Sequence, residues 1–495
     1  MSKKINFNIP SDVSRITETL QKAGFEAFLV GGCVRDLLRG EKPKDWDVTT
    51  NANPEQIVSL FPKTFYENKF GTVSVVNESA VADEDETLKN IEITPYRMEA
   101  KYSDKRHPDS VSFTNNIEND LKRRDFTINA MALNVVSGEI IDLFDGQKDL
   151  KNKLIKAVGN PMDRFSEDAL RMIRAVRFAT ELNFKIEKNT AEAIKNKAGL
   201  LDKIAKERIR DEFIKIIMSA NPEGGMEVLR ETGLLKFIMP EIEEGFDIEQ
   251  NKDHIYDVWT HSIKALKHSA DKNFPLNIRL AALLHDIGKP KSRRWDENKK
   301  DYTFYGHDVI GQKMSVRILA RLKFSIKDID IISKLVRYHL FFSDVEKITL
   351  SAVRRIVKNV GPENVWDLMK VRFCDRIGMG RPKETPYRLR KYESMIEEAM
   401  KAPVTVGMLK VNGAKIMEIT GEKPGPKIGF ILHTLLEEVL DNPKLNTIKY
   451  LEKQTGKLSK LSDEELKKLG NKGKDTKEAK EAKEIEEIRK KWWVK

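Results

Sequence analysis

The spacing of apolar residues changes character along the chain. Up to about residue 150, short β-rich runs alternate with turn signals: Ala27-Phe-Leu-Val30, Thr72-Val-Ser-Val-Val76, Ile91-Glu-Ile-Thr94 and Ile140-Ile-Asp-Leu143. These predict an α/β head. From Asp163 to Phe237 the period becomes helical, as in Ala169-Leu170, Ile173 and Val176-Arg177-Phe178, with few Gly or Pro before Asn221-Pro222-Glu223-Gly224-Gly225. Helical spacing resumes from His254 to about Arg381. Ala402 to Leu451 carries Val404-Thr-Val-Gly-Met408, then a Pro/Gly break at Gly421-Glu-Lys-Pro-Gly-Pro426 before an amphipathic stretch to Leu440, which predicts a small helical unit. The last 44 residues hold 14 Lys or Arg against 10 Asp or Glu, and from Lys477 to Lys491 the sign alternates as on a solvated helix or tail.

Composition narrows the classes. With 495 residues the chain exceeds one compact core, and 40% hydrophobic with 8% aromatic residues excludes a wholly disordered polymer. The formal charge of +11 suits a polyanionic partner. Cys33 and Cys374 alone cannot build a disulfide framework or a CxxC zinc site, which suits a reducing compartment. Met1 to Pro10 lacks a signal-like apolar core, and no apolar run approaches the ~20 residues of a membrane helix. The expectation is a cytoplasmic protein with no membrane partner.

Leu29-Val30-Gly31-Gly32-Cys33-Val34-Arg35-Asp36-Leu37-Leu38 reads as a strand, a glycine pair and a helix start. Two glycines let backbone N–H groups approach a phosphate, and Arg35 one turn in can clamp its oxygens. Asp45 and Asp47 follow; at i and i+2 of one strand they would point to one side. Carboxylates that close repel unless a cation lies between them, and such pairs commonly hold Mg²⁺ with substrate phosphates. Glu92 is a candidate third carboxylate from a neighbouring strand. Cradle and carboxylates together form the two halves of a phosphoryl or nucleotidyl transfer site.

Five ordered motifs make the pattern specific: Leu29 to Leu38, Asp45 to Thr50, Arg123-Arg-Asp-Phe-Thr-Ile-Asn-Ala130, Asp142-Leu-Phe-Asp-Gly146 with Asp149-Leu150, and Glu167-Asp-Ala-Leu-Arg-Met-Ile-Arg174. From about Phe25 to Glu241 the chain resembles class II tRNA nucleotidyltransferases and bacterial poly(A) polymerases. The resemblance implies Asp45 and Asp47 as Mg²⁺ ligands, Gly31, Gly32 and Arg35 on the triphosphate, and Arg123, Arg124, Asp125 and Asn129 near the ribose. Where that family usually has Ile-Arg, this chain has Ile155-Lys156, which keeps the charge and loses bidentate geometry.

Asp168 and Arg171 are three apart on a predicted helix and share a face. A carboxylate beside a guanidinium matches the amine and ring nitrogen of cytosine or adenine, not the carbonyl and N–H of uracil or guanine. In the related family these positions act as a protein template. Arg174 and Arg177 continue that side and resemble further nucleotide contacts. Lys206, Arg208, Arg210 and Lys215 extend a basic track suited to a tRNA acceptor stem. Trp492 and Trp493 beside Lys490 and Lys491 are candidates for base stacking.

Six of the eight histidines fall between His254 and His339. Leu283-Leu-His285-Asp286-Ile-Gly-Lys289 resembles the core of HD-domain phosphohydrolases, which implies His261, His285, Asp286, His307, His339 and Asp375 as ligands of a second divalent metal site. His254, His261 and His268 recur every seven residues, and the choice of His261 rests on the resemblance.

The resulting expectation is an α+β chain with a nucleotidyltransferase head at 1–150, a base-selecting and RNA-binding neck and body at 151–250, an HD domain at 251–385, a helical unit at 386–451 and a Lys/Glu-rich tail at 452–495. The implied function is addition of C, C and A to the tRNA 3′ end from CTP and ATP. A poly(A) polymerase or a partial CC- or A-adding enzyme is the nearest alternative. An HD-type phosphodiester hydrolase with an RNA-binding head is the alternative of another class.

Overall fold

A computed structural model describes residues 7–67, 71–78, 85–99, 111–251, 255–340, 348–400, 406–466 and 469. His254, Val404, Thr405 and everything beyond Leu469, including Trp492 and Trp493, lie outside the described residues. The chain forms two compact units: residues 1–248 with 266–279 and 317–326, and residues 249–265 with 280–316 and 327–495.

The first unit is built on a mixed sheet. Its strands are β1 (Ala27–Val30), β2 (Asp47–Thr50), β3 (Thr64–Glu67), β4 (Thr72–Val76), β5 (Asn90–Pro95), β8 (Met131–Leu133) and β9 (Ile140–Asp142), while β6 (Arg97–Glu99) and β7 (Val111–Phe113) form a separate ribbon. The order is β3-β4-β5-β2-β1-β8-β9. Only β2 and β5 run parallel, in a register that sets Asp47 beside Glu92. β1 pairs antiparallel with β2 and with β8, so the chain leaves β1 at the sheet centre and turns at the glycine pair into the helix Gly32–Leu38. Val30, Leu121 and Ala132 are buried beneath that turn.

Helical segments follow in this unit, among them Pro161–Glu167, Leu170–Leu182, Lys206–Met218 and Pro222–Glu231. Their apolar stripes interlock: Met172, Ile173 and Val176 of one helix and Ile209, Phe213 and Ile216 of another are fully buried. Among its described residues, the second unit is helical apart from the hairpin of Arg294–Asp296 and Asp301–Thr303. Among the described residues no helix is long and apolar enough to cross a membrane. The α+β class expected from the sequence is the class observed.

Candidate functional site

Gly31 has φ +82° and ψ −134°, a conformation open to glycine and costly for other residues. A Cβ there would lie 3.2 Å from Arg124 Nη1 and 3.6 Å from Asp47 Oδ2; one on Gly32 would lie 3.6 Å from Arg35 Nη2 and 3.7 Å from Asp45 Oδ1. Two carboxylates and two guanidiniums therefore converge on the glycine turn. Asp45 is not on the strand that the sequence suggested. The Trp46 indole is 2% exposed, and the chain bends to bury it, so the ladder begins only at Asp47. The two acids still face one turn, from a bend and a strand end.

Asp47 is pushed up to about 7 by burial and then by the negative charges of Asp45 and Glu92, with Arg124 offsetting part of the effect. A carboxylate held against like charge beside a turn whose positive φ favours glycine fits a cation and a phosphate. Arg35 spans the cradle: its Nε and Nη2 donate to Asp36 at 2.9 Å each, and its Nη1 donates to Asn129 Oδ1 at 2.9 Å. Asn129 donates to Asp125 at 3.4 Å, and Asp125 accepts from Arg174 Nε at 2.9 Å. Burial opposes the Asp125 charge, yet Arg174 holds this carboxyl down at about 2. Arg123 Nε and Arg124 Nη2 donate to the fully buried Asp120 at 2.9 and 3.1 Å.

Asp168 and Arg171 are close in sequence but do not share a helix. Asp168 is extended at the end of Pro161–Glu167, and its carboxylate accepts the Leu170 N–H at 2.9 Å, because Asp gains more from capping the next helix than from continuing the last. Its other oxygen accepts from Arg208 Nη2 at 3.2 Å. Arg171 donates to Glu167 at 2.6 Å and to the carbonyls of Arg164 and Arg123 at 3.2 and 3.1 Å. Arg177 sits 3.3 Å from Glu212 and 4.1 Å from the Phe178 ring, which Arg35 and Arg174 also approach at 5.6 and 5.4 Å. The basic track is largely paired with acids: Lys206 with Asp202, Arg208 with Asp168, Arg210 with Asp211 and Lys215 with Glu212.

The second unit gathers all six of its expected residues. His261 Nε2 is 2.8 Å from His285 Nε2, 3.1 Å from Asp286 Oδ2 and 3.3 Å from Asp375 Oδ1. Asp286 Oδ1 is 3.2 Å from His307 Nε2 and 3.6 Å from His339 Nε2. One carboxylate thus stands between two histidine pairs, and the cluster is buried, with His261 at 0% and Asp286 at 2% exposure. The Nδ1 atoms of His285, His307 and His339 each lie 2.7 Å from the carbonyl three residues earlier. That bond directs the Nε2 lone pairs inward, as metal-binding histidines require. Burial resists charge on His285, yet Asp286 and Asp375 raise it to about 10; burial and the neighbouring His285 and His307 press His339 down to about 4. His268, one heptad after His261, is outside the cluster.

Three family models match in order: the Poly A polymerase head domain over residues 27–156, a probable RNA- and SrmB-binding site of polymerase A over 183–246, and the HD domain over 253–372. Domain by domain, the chain is thus similar to a poly(A) polymerase head, a polymerase RNA-binding segment and an HD domain. The CCA-adding enzyme of Ligilactobacillus salivarius is 47% identical over 234 residues, covering 46% of this chain and 55% of the relative. That of Enterococcus faecalis is 44% identical over 235 residues, covering 47% and 55%. The chain thus spans little more than half the length of these curated relatives. The Bacillus stearothermophilus CCA-adding enzyme in complex with CTP aligns with TM-score 0.65 and 27% identity over 91% of this chain and all of that one. The Thermotoga maritima enzyme complexed with tRNA shares the fold, with TM-score 0.54 and 20% identity over 92% and 97%.

Nucleotidyltransferase heads and HD domains of such families generally use divalent metals. Within the head, sequence reasoning missed Asp120, Asp36 and Glu167, each of which fixes an arginine of the site. The signal was present for two of them. Asp120 precedes Arg123 and Arg124 by three and four residues, the spacings at which helical neighbours meet, and Glu167 precedes Arg171 by four, a spacing that here bridges the break at Asp168.

Proposed function

We propose that the chain is a tRNA nucleotidyltransferase that adds C, C and A to the tRNA 3′ end from CTP and ATP without a nucleic-acid template, in the cytoplasm. The observation that carries this reading is the convergence of Asp45, Asp47, Arg35 and Arg124 on the Gly31-Gly32 turn, with Glu92 in register beside Asp47. Asp45 and Asp47 are the residues that would hold Mg²⁺, with Glu92 as a further acid; when bound, that ion supplies positive charge that acidifies the 3′-hydroxyl and balances the triphosphate. The glycine turn admits the phosphates, and Arg35, fixed by Asp36 and Asn129, presents a guanidinium that cannot swing away. Arg123 and Arg124 are held by Asp120 and can steady the sugar and phosphates. Asp168 and Arg171 read the base edge, and Arg174 and Arg177 line the helix that carries Arg171.

The CTP bound by the Bacillus stearothermophilus enzyme, at 27% identity over 91% of this chain, supports CTP as a ligand. The buried His–Asp cluster favours a second activity, hydrolysis of phosphate esters by the HD unit around divalent ions held by His261, His285, Asp286, His307, His339 and Asp375.

A product ladder on tRNA lacking its 3′ end tests the first reading. Three added nucleotides followed by arrest are expected; an unbounded A-run makes the chain a poly(A) polymerase, and a stop after CC or a single A makes it a partial enzyme. Asp168→Ala is expected to erode the preference for CTP and ATP over UTP and GTP by ~10-fold or more in competition, since the site loses the acceptor that rejects a carbonyl.

A further inference from the structure

We propose that the hairpin between Asp286 and His307 is a stacking platform for single-stranded RNA, feeding a strand to the buried His–Asp cluster. This rests on the HD unit being a phosphoesterase and names the polymer it takes. The hairpin is tied to the cluster at both ends. Three residues after Asp286, the short helix Lys289–Ser292 leads into strand Arg294–Asp296; strand Asp301–Thr303 returns through Phe304, Tyr305 and Gly306 to His307. Phe304 holds His307 directly, its carbonyl 2.7 Å from His307 Nδ1, and Lys289 Nζ lies 5.6 Å from the Phe304 ring.

Its surface has the two components that bind unpaired nucleic acid, flat aromatic faces and mobile cations. Trp295 is 50% exposed and meets Tyr302 edge-on at 5.1 Å, across the register that pairs the two residues. Arg293 stacks 3.6 Å above the Tyr302 ring. Tyr305 is exposed, with its hydroxyl 2.7 Å from Lys299 Nζ. From Lys291 to Asp301 the cations are Lys291, Arg293, Arg294, Lys299 and Lys300 against Asp296, Glu297 and Asp301. Asp296 accepts the N–H groups of Asn298 and Lys299, and Asp301 accepts that of Tyr302, so two of the three acids are engaged with the hairpin's own backbone. Five cations against three acids leave this stretch a net charge of +2. A hydrophobic protein partner would not select for that many cations, whereas a phosphate backbone with splayed bases does.

The test is photo-cross-linking of the full chain to a short single-stranded RNA carrying 4-thiouridine, with adducts mapped by mass spectrometry. Adducts within Arg293–Tyr305 are expected, and Trp295→Ala should cut their yield ~5-fold or more while Trp295→Phe retains it, because stacking needs a ring. Adducts confined to residues 27–246, or a Trp295→Ala yield equal to that of the unaltered chain, overturn the platform. The tRNA ladder is run on the same variant. An unchanged ladder is expected; a ladder that fails in the unaltered chain while hairpin adducts persist sinks the CCA-adding reading and leaves the platform standing.

Discussion

The two acidic sites of this chain solve one electrostatic problem in opposite ways. At the head, Asp45, Asp47 and Glu92 face one another with only partial compensation from Arg124, and Asp47 is pushed up to about 7. In the HD unit, Asp286 and Asp375 are fully buried, yet His285 and Lys289 hold Asp286, and Arg372 holds Asp375, well below the usual carboxylate range. Burial alone therefore does not set the charge of a carboxylate; what is packed beside it does. The head leaves negative charge to be balanced from outside, which suits a site whose cation arrives with a triphosphate. In the HD cluster three imidazoles are already aimed by backbone carbonyls, which suits ions held by the fold itself.

The largest break in this comparison comes from the head acids. Asp45→Ala with Asp47→Ala should lower nucleotide addition by roughly 10³-fold or more, since of the three acids only Glu92 is then left to hold the ion. Metal content and hydrolysis in the HD unit should be unaffected, and loss of both together would mean the acids serve the fold instead. The reciprocal change, Asp286→Ala, removes the carboxylate standing between both histidine pairs. Metal bound after dialysis, measured by mass spectrometry of the elements, should fall from about two ions per chain to fewer than one, while the tRNA ladder persists. Retention of the full metal content would show that Asp286 bridges nothing.

The smallest effect is a pH dependence. Between the ordinary Asp range and about pH 7, the metal-free folded chain keeps a proton on Asp47 that the unfolded chain has released. The folded state then binds more protons, so stability falls as pH rises through that window, by at most ~4 kcal/mol. Asp47→Asn should flatten the profile of Tm against pH, and added Mg²⁺ should restore stability at the alkaline side. An identical slope in Asp47→Asn would show that another group sets it.

Much of this was legible along the chain. The glycine turn and the strands flanking it are local patterns, since a glycine's freedom and a strand's alternation act within a few residues, whereas Asp45 stands off the strand that alternation predicted and Glu92 reaches Asp47 only through strand pairing. All six HD residues were assigned on motif alone, and the structure brings them to one point. The helix expected to carry Asp168 and Arg171 together was misread, because Asp168 competes for the backbone N–H that opens the next helix.

The sequence by itself determined which residue types exist to grip phosphate, base and metal, and the order in which they come, because those follow from short-range spacing and side-chain chemistry. Only the tertiary structure decided the pairings. Arg208 on Asp168 across 40 residues, Arg174 on Asp125 across 49, Arg35 on Asn129 across 94, and the histidines around Asp286 are contacts between distant elements. Each is selected by burial, where an ion pair or a lone pair must find a specific partner and no periodicity names which one.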